Sequence, residues 1–177
     1  KWYATVPDGF RFYPKLEQSI SHFKRLKDVA EAVERNVMNF SLLREKLGMA
    51  FLQLHNNFGP KDLERVETFV ANWSYDMPLA MEFRHRDWFG EPAVAERLYQ
   101  LLESKNITNV LVDCAGRRDL MHMRLTTPAT FIRYVGANHR SDYSRLDAWV
   151  EKIAEWKAAG LQQVNFFVHQ NVEKESP

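Results

Sequence analysis

Charged side chains follow directly after an apolar run in the stretch "MEFRHRDWF", residues 81 to 89. In an extended strand successive side chains alternate between two faces, so Glu82 and Arg84 point one way and Phe83 points the other. Such a strand can deliver a carboxylate and a guanidinium to a pocket. The same pattern also suits a plain structural ion pair.

Five other apolar runs carry polar residues near one end. Alternation places Lys15 on the face of Tyr13, and Asp113 on the face of Leu111. The polar residues that this pattern assigns to one inward face are Lys15, Gln53, His55, Glu82, Arg84, Asp113, Arg133 and His169. A structural role explains each of them alone about as well as a functional one. Together they favour a ligand site, because a scaffold has little reason to assemble so many desolvated charges.

Two carboxylates in this set could do chemistry. Glu82 and Asp113 belong to neighbouring predicted strands, and carboxylates that lie close together perturb each other's pKa, as general acid and base pairs do. The sequence therefore predicts both as catalytic residues. The ligand-binding residues predicted from the strand pattern are Lys15, Gln53, His55, Arg84, Arg133 and His169. His22, near a helix start seven residues beyond Lys15, is added to them because it resembles a position of the family motif named below, and a structural role suits it equally well.

A divalent metal ion is an alternative ligand for part of this set, since imidazole and carboxylate groups suit such an ion. The residues concerned are His55, Glu82, Asp113 and His169. No tight spacing such as H-E-x-x-H supports a metal, so no metal or other cofactor is predicted. The inward cations outnumber the inward carboxylates by one, which predicts a small anionic ligand such as a sugar phosphate or a carboxylate.

Six short runs, rich in apolar or aromatic residues, are predicted to be the strands that position these groups. They cover residues 10–15, 49–54, 78–83, 109–114, 130–135 and 164–169. Helical patterns lie between most of them, at about 19–47, from Pro60, from Pro92 and at 143–160. Alternating strands and helices indicate the α/β class with a parallel sheet. A (β/α)8 barrel is favoured over an open nucleotide-binding sheet, because no glycine-rich phosphate loop is present.

The bulk composition is that of a globular protein with one domain over residues 1–177. Of these residues 45% are hydrophobic and 27% charged, and a formal net charge of +1 gives no overall attraction to nucleic acid. No apolar run approaches the roughly 18 residues of a membrane span. The single cysteine, Cys114, fits a reducing compartment, and the predicted location is the cytoplasm. Cys114 is expected to face the helices, while Arg118 and His122 are expected in a solvated loop.

Several motifs together resemble one known family over almost the whole chain. They are K-x6-H in "FRFYPKLEQSISHFKRL", the L-Q-L segment, E-F-R-H-x-x-W, R-x-x-G in "FIRYVG" and Y-x-x-L-x-x-W. In this order they resemble the YecE-like family, also called domain of unknown function 72. The resemblance implies a TIM-type barrel of which this chain holds strands three to eight, without the first two strands and the last helix. The sequence departs from the family pattern at "QLHNNF" and "VHQN", so its ligand can differ.

The resemblance implies a fold and a polar cluster but no reaction. The sequence predicts a small-molecule enzyme or binder, with acid and base chemistry on an anionic or sugar-like substrate as one form of activity. The alternative is a noncatalytic barrel that binds nucleic acid or another phosphate-containing ligand through Lys15, Arg84 and Arg133. A third interpretation makes the cluster only the polar end of a stable scaffold.

Overall fold

The computed structural model describes residues 2–172, 174 and 176, and their strands and helices alternate along the chain. The strands are β1 (Ala50–Gln53), β2 (Leu79–Glu82), β3 (Thr108–Asn109), β4 (Leu111–Cys114), β5 (Ile132–Gly136) and β6 (Phe166–Gln170). The α-helices are α1 (Ala30–Ser41), α2 (Leu63–Asn72), α3 (Asp87–Gly90), α4 (Pro92–Ser104) and α5 (Ser141–Ala158). This order confirms the predicted α/β class.

The strands form two parallel sheets of three, in the orders β1-β2-β3 and β4-β5-β6. One extended segment, residues 108–114, belongs to both sheets. At its middle the Val110 amide donates to the carbonyl of Met81, and the next amide, of Leu111, donates to Phe131, each at 2.9 Å. With β3 and β4 taken as one segment, each strand therefore lies beside its neighbour in sequence and parallel to it.

The first predicted strand, residues 10–15, is not a regular strand. It makes two isolated parallel bridges, Phe12 with Leu47 and Lys15 with Phe51. Pro14, the fifth of its six residues, has no N–H to donate, which prevents a continuous ladder of hydrogen bonds. The segment still lies parallel to β1 and places Lys15 beside it.

The single helix predicted over 19–47 is wrong, because the backbone breaks between two helical pieces. Ser19–Phe23 forms one π-helical turn, and α1 begins only at Ala30. Between them Arg25, Leu26 and Asp28 adopt positive φ angles of 50°, 63° and 51°. Residues other than glycine rarely occupy this left-handed region, and a right-handed helix cannot continue through it.

The strands separate two apolar environments, and this separation defines an inner face and a helix-facing side. On the inner face Phe51, Val112 and Phe131 pack with Tyr13 and Phe167. The rings of Tyr13 and Phe167, from the first and last extended segments, have centroids 5.0 Å apart. The two chain segments that pair with only one neighbour therefore meet at the same inner core.

On the helix-facing side the alternate strand residues pack under helices. Leu111, Ile132 and Tyr134 lie against Trp149 of α5. At Gly136, the last residue of β5 and the glycine of the R-x-x-G motif, a Cβ atom would require the end of the Gln170 side chain to move. Among the described helices, none combines the length and the apolar character that a membrane crossing requires.

Candidate functional site

The carboxylate of Glu82 lies at the end of β2 and is fully buried. The β1–β2 register sets Gln53 directly beside it, and Gln53 Nε2 donates to Glu82 Oε1 at 2.9 Å. Arg133 Nη1 donates to Glu82 Oε2 at 2.6 Å, and Arg84 Nε lies 3.5 Å from Oε1. Glu82 thus contacts polar side chains from β1 (Gln53), from β5 (Arg133) and from the end of β2 (Arg84).

Lys15 extends this network on the side of the first extended segment. Its Nζ donates to Gln53 Oε1 at 2.7 Å. Lys15 and Arg133 both lie over the Phe51 ring, at 5.8 and 5.6 Å from its centroid. We call the connected residues Lys15, Gln53, Glu82, Arg84 and Arg133 the Glu82 cluster.

The Glu82 cluster contains three cations and one carboxylate. Within the described residues, Lys15 has no carboxylate at salt-bridge distance. Partial burial lowers the pKa of Lys15, Glu82 opposes this effect, and the guanidiniums of Arg133 and Arg84 lower the pKa further. The side chains of Arg84 and Arg133 are 34% and 23% exposed, so a ligand can reach them. The Glu82 cluster therefore carries an excess of positive charge.

Two predicted ligand-binding histidines lie beside this cluster. The rings of His22 and His55 meet edge to face with centroids 5.4 Å apart. Partial burial lowers the pKa of His22, and the positive charges of Lys15, His55 and Arg84 lower it further. His169 lies on the same face of β6 as the inner-core residue Phe167, and is half-buried.

Asp113 does not join Glu82, so the prediction that the two carboxylates share one cavity is wrong. Asp113 lies on the helix-facing side, where its Oδ2 accepts from Trp149 Nε1 at 2.8 Å. Arg145 and Arg118 each donate to its Oδ1 at 2.8 Å. Acid and base chemistry that depends on the proximity of these two carboxylates has no geometric support.

Cys114 takes the position on β4 that Asp113 was predicted to have. It packs against the inner core with Val112, whereas it was predicted to face the helices. The side-chain period of a strand is two residues, so choosing the wrong face for Asp113 reverses the face of Cys114 as well.

The loop after β4 is less solvated than the sequence predicts. Arg118 is more than half exposed but pairs with Asp113, and His122 packs its ring 4.4 Å from that of Phe89. The Nδ1 atom of His122 is shielded from solvent, and burial lowers the pKa of His122 to about 4.

Two features of the strand ends were missed at the sequence level. Arg145, one turn into α5, contacts Asp113 and Asp142, and only its position in a helical pattern is visible in sequence. A cleft of about 1300 Å³ lies between the segments that follow β1 and β2. Its lining includes Lys61 and His85, whereas no member of the Glu82 cluster lines it. Among the described residues, no three His, Cys, Asp or Glu side chains lie close enough to hold a metal ion.

Comparisons with known proteins agree on one family. The family model described as "Protein of unknown function DUF72" matches residues 1–177. The UPF0759 protein YecE of Escherichia coli (strain K12) is 26% identical over 175 residues, which cover 88% of this chain and 64% of that protein. The chain thus spans less than two thirds of the length of this curated relative.

Two crystal structures of DUF72 family proteins are similar to this fold. The protein from Thermotoga maritima has a TM-score of 0.74 and 26% identity, with 98% of this chain and 71% of that chain covered. The protein from Enterococcus faecalis has a TM-score of 0.71 and 18% identity, with 99% and 77% covered, and supports the fold alone.

Proposed function

Because the chain belongs to the DUF72 family, whose description gives no reaction, we propose a function from its own geometry: the Glu82 cluster binds a small anion. The observation that carries the proposal is the presence of three cations, Lys15, Arg84 and Arg133, around one fully buried carboxylate. Two positive charges of the cluster are left for a ligand to neutralise.

The chemistry of the donors supports an oxyanion. Arg84 and Arg133 offer planar, forked N–H donors that match carboxylate or phosphate oxygens, and Lys15 adds a compact positive charge. A double negative charge fits the two uncompensated cations better than a single one. Phosphate-bearing molecules and dicarboxylates are therefore the proposed ligand classes, and Glu82 is proposed to order the cations around them.

We also propose that the fold is that of a TIM-type barrel to which this chain contributes part of the wall. Supporting features are the parallel pairing of sequence neighbours and the contact of Tyr13 with Phe167, which brings the first and last extended segments to one inner core. In such barrels the ligand site lies at the C-terminal strand ends, where Gln53 and Glu82 are found. An experimental structure with helices on both faces of an open sheet would contradict this proposal.

Sulfate tests the anion site, because it resembles phosphate and has no protonation step near neutral pH. Thermal unfolding of the parent and of the variants Arg84→Ala and Arg133→Ala is followed while sulfate is added in the low millimolar range. A ligand that binds only the folded state raises the melting temperature, by a stabilisation of about 2.7 kcal/mol at 100 times Kd. We expect a saturable rise in the parent and a clearly smaller one in both variants.

The matched control is Arg97→Ala, because Arg97 is an exposed arginine of α4 that pairs with Glu67 of α2 instead of with Glu82. It should behave as the parent does. Equal shifts in all four proteins would reveal the general stabilisation that sulfate gives by exclusion from protein surfaces, and would remove the proposed site. The absence of any shift in the parent would remove it too.

A further inference from the structure

We propose that His22 couples anion binding to proton uptake: its imidazole gains a proton when an anion binds at the Glu82 cluster, and the resulting imidazolium contacts that anion. The inference rests on the proposed anion site and adds a residue, a charge state and a pH dependence to it. It makes His22 the group of the site that exchanges protons with the ligand.

The surroundings of His22 leave one ring nitrogen available. Ser21 is fully buried, and its Oγ lies 2.7 Å from His22 Nδ1, which fixes the ring by that nitrogen. No hydrogen bond of His22 Nε2 is present within the part of the chain that the structure describes. The His55 ring stands edge to face against it. Nε2 is therefore the nitrogen that we propose to meet the ligand.

The backbone that carries His22 is unusual and firmly held. His22 lies in the π-helical turn Ser19–Phe23, a form that occurs frequently at functional sites. Arg25 and Leu26, which follow, adopt left-handed conformations that cost free energy. Arg25 nevertheless anchors the turn, donating to the carbonyl of Asn57 at 2.9 Å and to Asp62 at 3.1 Å. These contacts hold the strained turn in one conformation and so fix the position of the His22 side chain. His22 is the residue of this turn on which the charges of Lys15 and Arg84 act.

Within the part of the chain that the structure describes, the ionisable groups that act on the charge of His22 are cations or imidazole, and the carboxylate of the cluster, Glu82, is paired with Arg84 and Arg133. The groups that act on His22 are Lys15 from the first extended segment, Arg84 after β2 and the titratable His55 after β1. These cations disfavour a proton on His22. An anion bound among them reverses the local potential and favours the imidazolium, which raises the pKa of His22. By linkage, a ligand that favours proton uptake must bind more tightly as the pH falls through the titration of His22.

Calorimetric titration with sulfate in two buffers of different ionisation enthalpy measures this coupling, because sulfate itself takes up no proton near pH 7. The parent should show a binding enthalpy that differs between the buffers, which corresponds to the uptake of a fraction of a proton. Its Kd should rise several-fold between about pH 6 and about pH 8. His22→Gln should bind sulfate more weakly, with the same enthalpy in both buffers. The control His139→Gln removes a histidine from the exposed turn before α5 and should retain the coupling.

The outcomes separate this inference from the proposed function. Sulfate binding with equal enthalpies in both buffers would leave the anion site standing and overturn the role of His22. Coupling that survives in His22→Gln but disappears in His55→Gln would overturn it in favour of His55. No sulfate binding by the parent would refute the anion site and this inference together. An NMR titration of the His22 ring in the parent, with and without sulfate, decides the question even if a variant fails to fold, because a pKa unchanged by sulfate contradicts the proposal.

Discussion

Two buried carboxylates on neighbouring strands of this protein have opposite surroundings. Glu82 lies on the inner face among Lys15, Arg84 and Arg133, which outnumber it. Asp113 lies on the helix-facing side, 1% exposed, where Trp149 Nε1 donates to it. Around Asp113 the charges cancel. The two cations Arg118 and Arg145 face two carboxylates, Asp113 itself and Asp142.

The difference shows that a charged residue at a strand end is not by itself a sign of a ligand site. Asp113 connects α5 and the loop after β4 to the sheet through hydrogen bonds with Trp149 and Arg118. Its negative charge is therefore neutralised by partners within the fold. The cations of the Glu82 cluster are partly exposed, and the three of them share one carboxylate, so two positive charges are uncompensated. An uncompensated, accessible charge is the informative feature, and it appears only when the face of each strand is known.

The largest loss of stability is expected when the charge of Asp113 is removed. Asp113→Asn removes the charge while keeping the side-chain shape and one oxygen acceptor, and leaves Arg145 with one carboxylate partner, Asp142, in place of two. Removal of one member of a buried ion pair typically costs 3–5 kcal/mol, and the exposure of Arg118 places this variant near the lower end, at about 3 kcal/mol. Chemical denaturation measures the change. Sulfate affinity should stay within about twofold of the parent.

A small loss of stability combined with altered sulfate binding would contradict the structural role of Asp113. Trp149→Phe provides the matched control, because it removes the N–H donor to Asp113 but keeps an aromatic ring against Tyr134 and Phe166. It should cost about 1 to 2 kcal/mol, since a buried acceptor loses one of its partners.

The sequence predicts the order of the strands well. It predicts less well which side chains of each strand point to the inner face. In residues 78–83 one face is wholly apolar and the other, which carries Ala80, ends in Glu82, and this alternation places Glu82 on the inner face. In the segment that contains β4, Val110, Leu111 and Val112 are apolar on both faces, because one side meets the inner core and the other meets α5. A run that is apolar on both faces does not indicate which face is inward. The facing of Asp113 and Cys114 therefore could not be predicted from it.

The first extended segment and the turn around His22 show a second limit. Apolar content over 10–15 and helical spacing over 19–47 are local patterns. The interruption at Pro14 was visible in the sequence, whereas the left-handed residues Arg25 and Leu26 were not, because neither residue type favours that conformation. Tertiary contacts impose it, among them the hydrogen bond of Arg25 to Asn57.

Buried His122, which lies outside the Glu82 cluster, is expected to make the stability of the protein depend on pH. The pKa of His122 is lowered to about 4 by burial, below the usual 6.5 of the unfolded chain. As the pH falls between these values the unfolded state binds a proton first, so stability is complete above pH 6.5 and declines until pH 4. The loss from this group is about 2 to 3 kcal/mol.

Denaturation curves at several pH values, for the parent and for His122→Phe, measure this contribution. The variant should lose less stability between neutral pH and about pH 4, since phenylalanine has no proton to bind. His139→Gln, at an exposed histidine, should follow the parent curve. Identical curves for the parent and His122→Phe would show that His122 titrates normally and that the loop after β4 is open to water.

The smallest predicted effect concerns the charge of Glu82 and tests the comparison most directly. Glu82→Gln keeps an oxygen acceptor for Arg133 and preserves the size of the side chain, but removes the one negative charge of the cluster. Three cations then face the ligand without a carboxylate among them, so sulfate should bind about three to ten times more tightly, a gain of about 0.7 to 1.4 kcal/mol. Because the cations are partly exposed, this gain should shrink as neutral salt is added. The same charge change at Asp113→Asn, on the helix-facing side, should leave sulfate affinity unchanged. Equal gains in both variants would show that the position of the carboxylate relative to the three cations does not determine anion affinity. Weaker binding by Glu82→Gln would contradict this prediction and show that the ordering of Arg84 and Arg133 by Glu82 outweighs the repulsion between its charge and the anion.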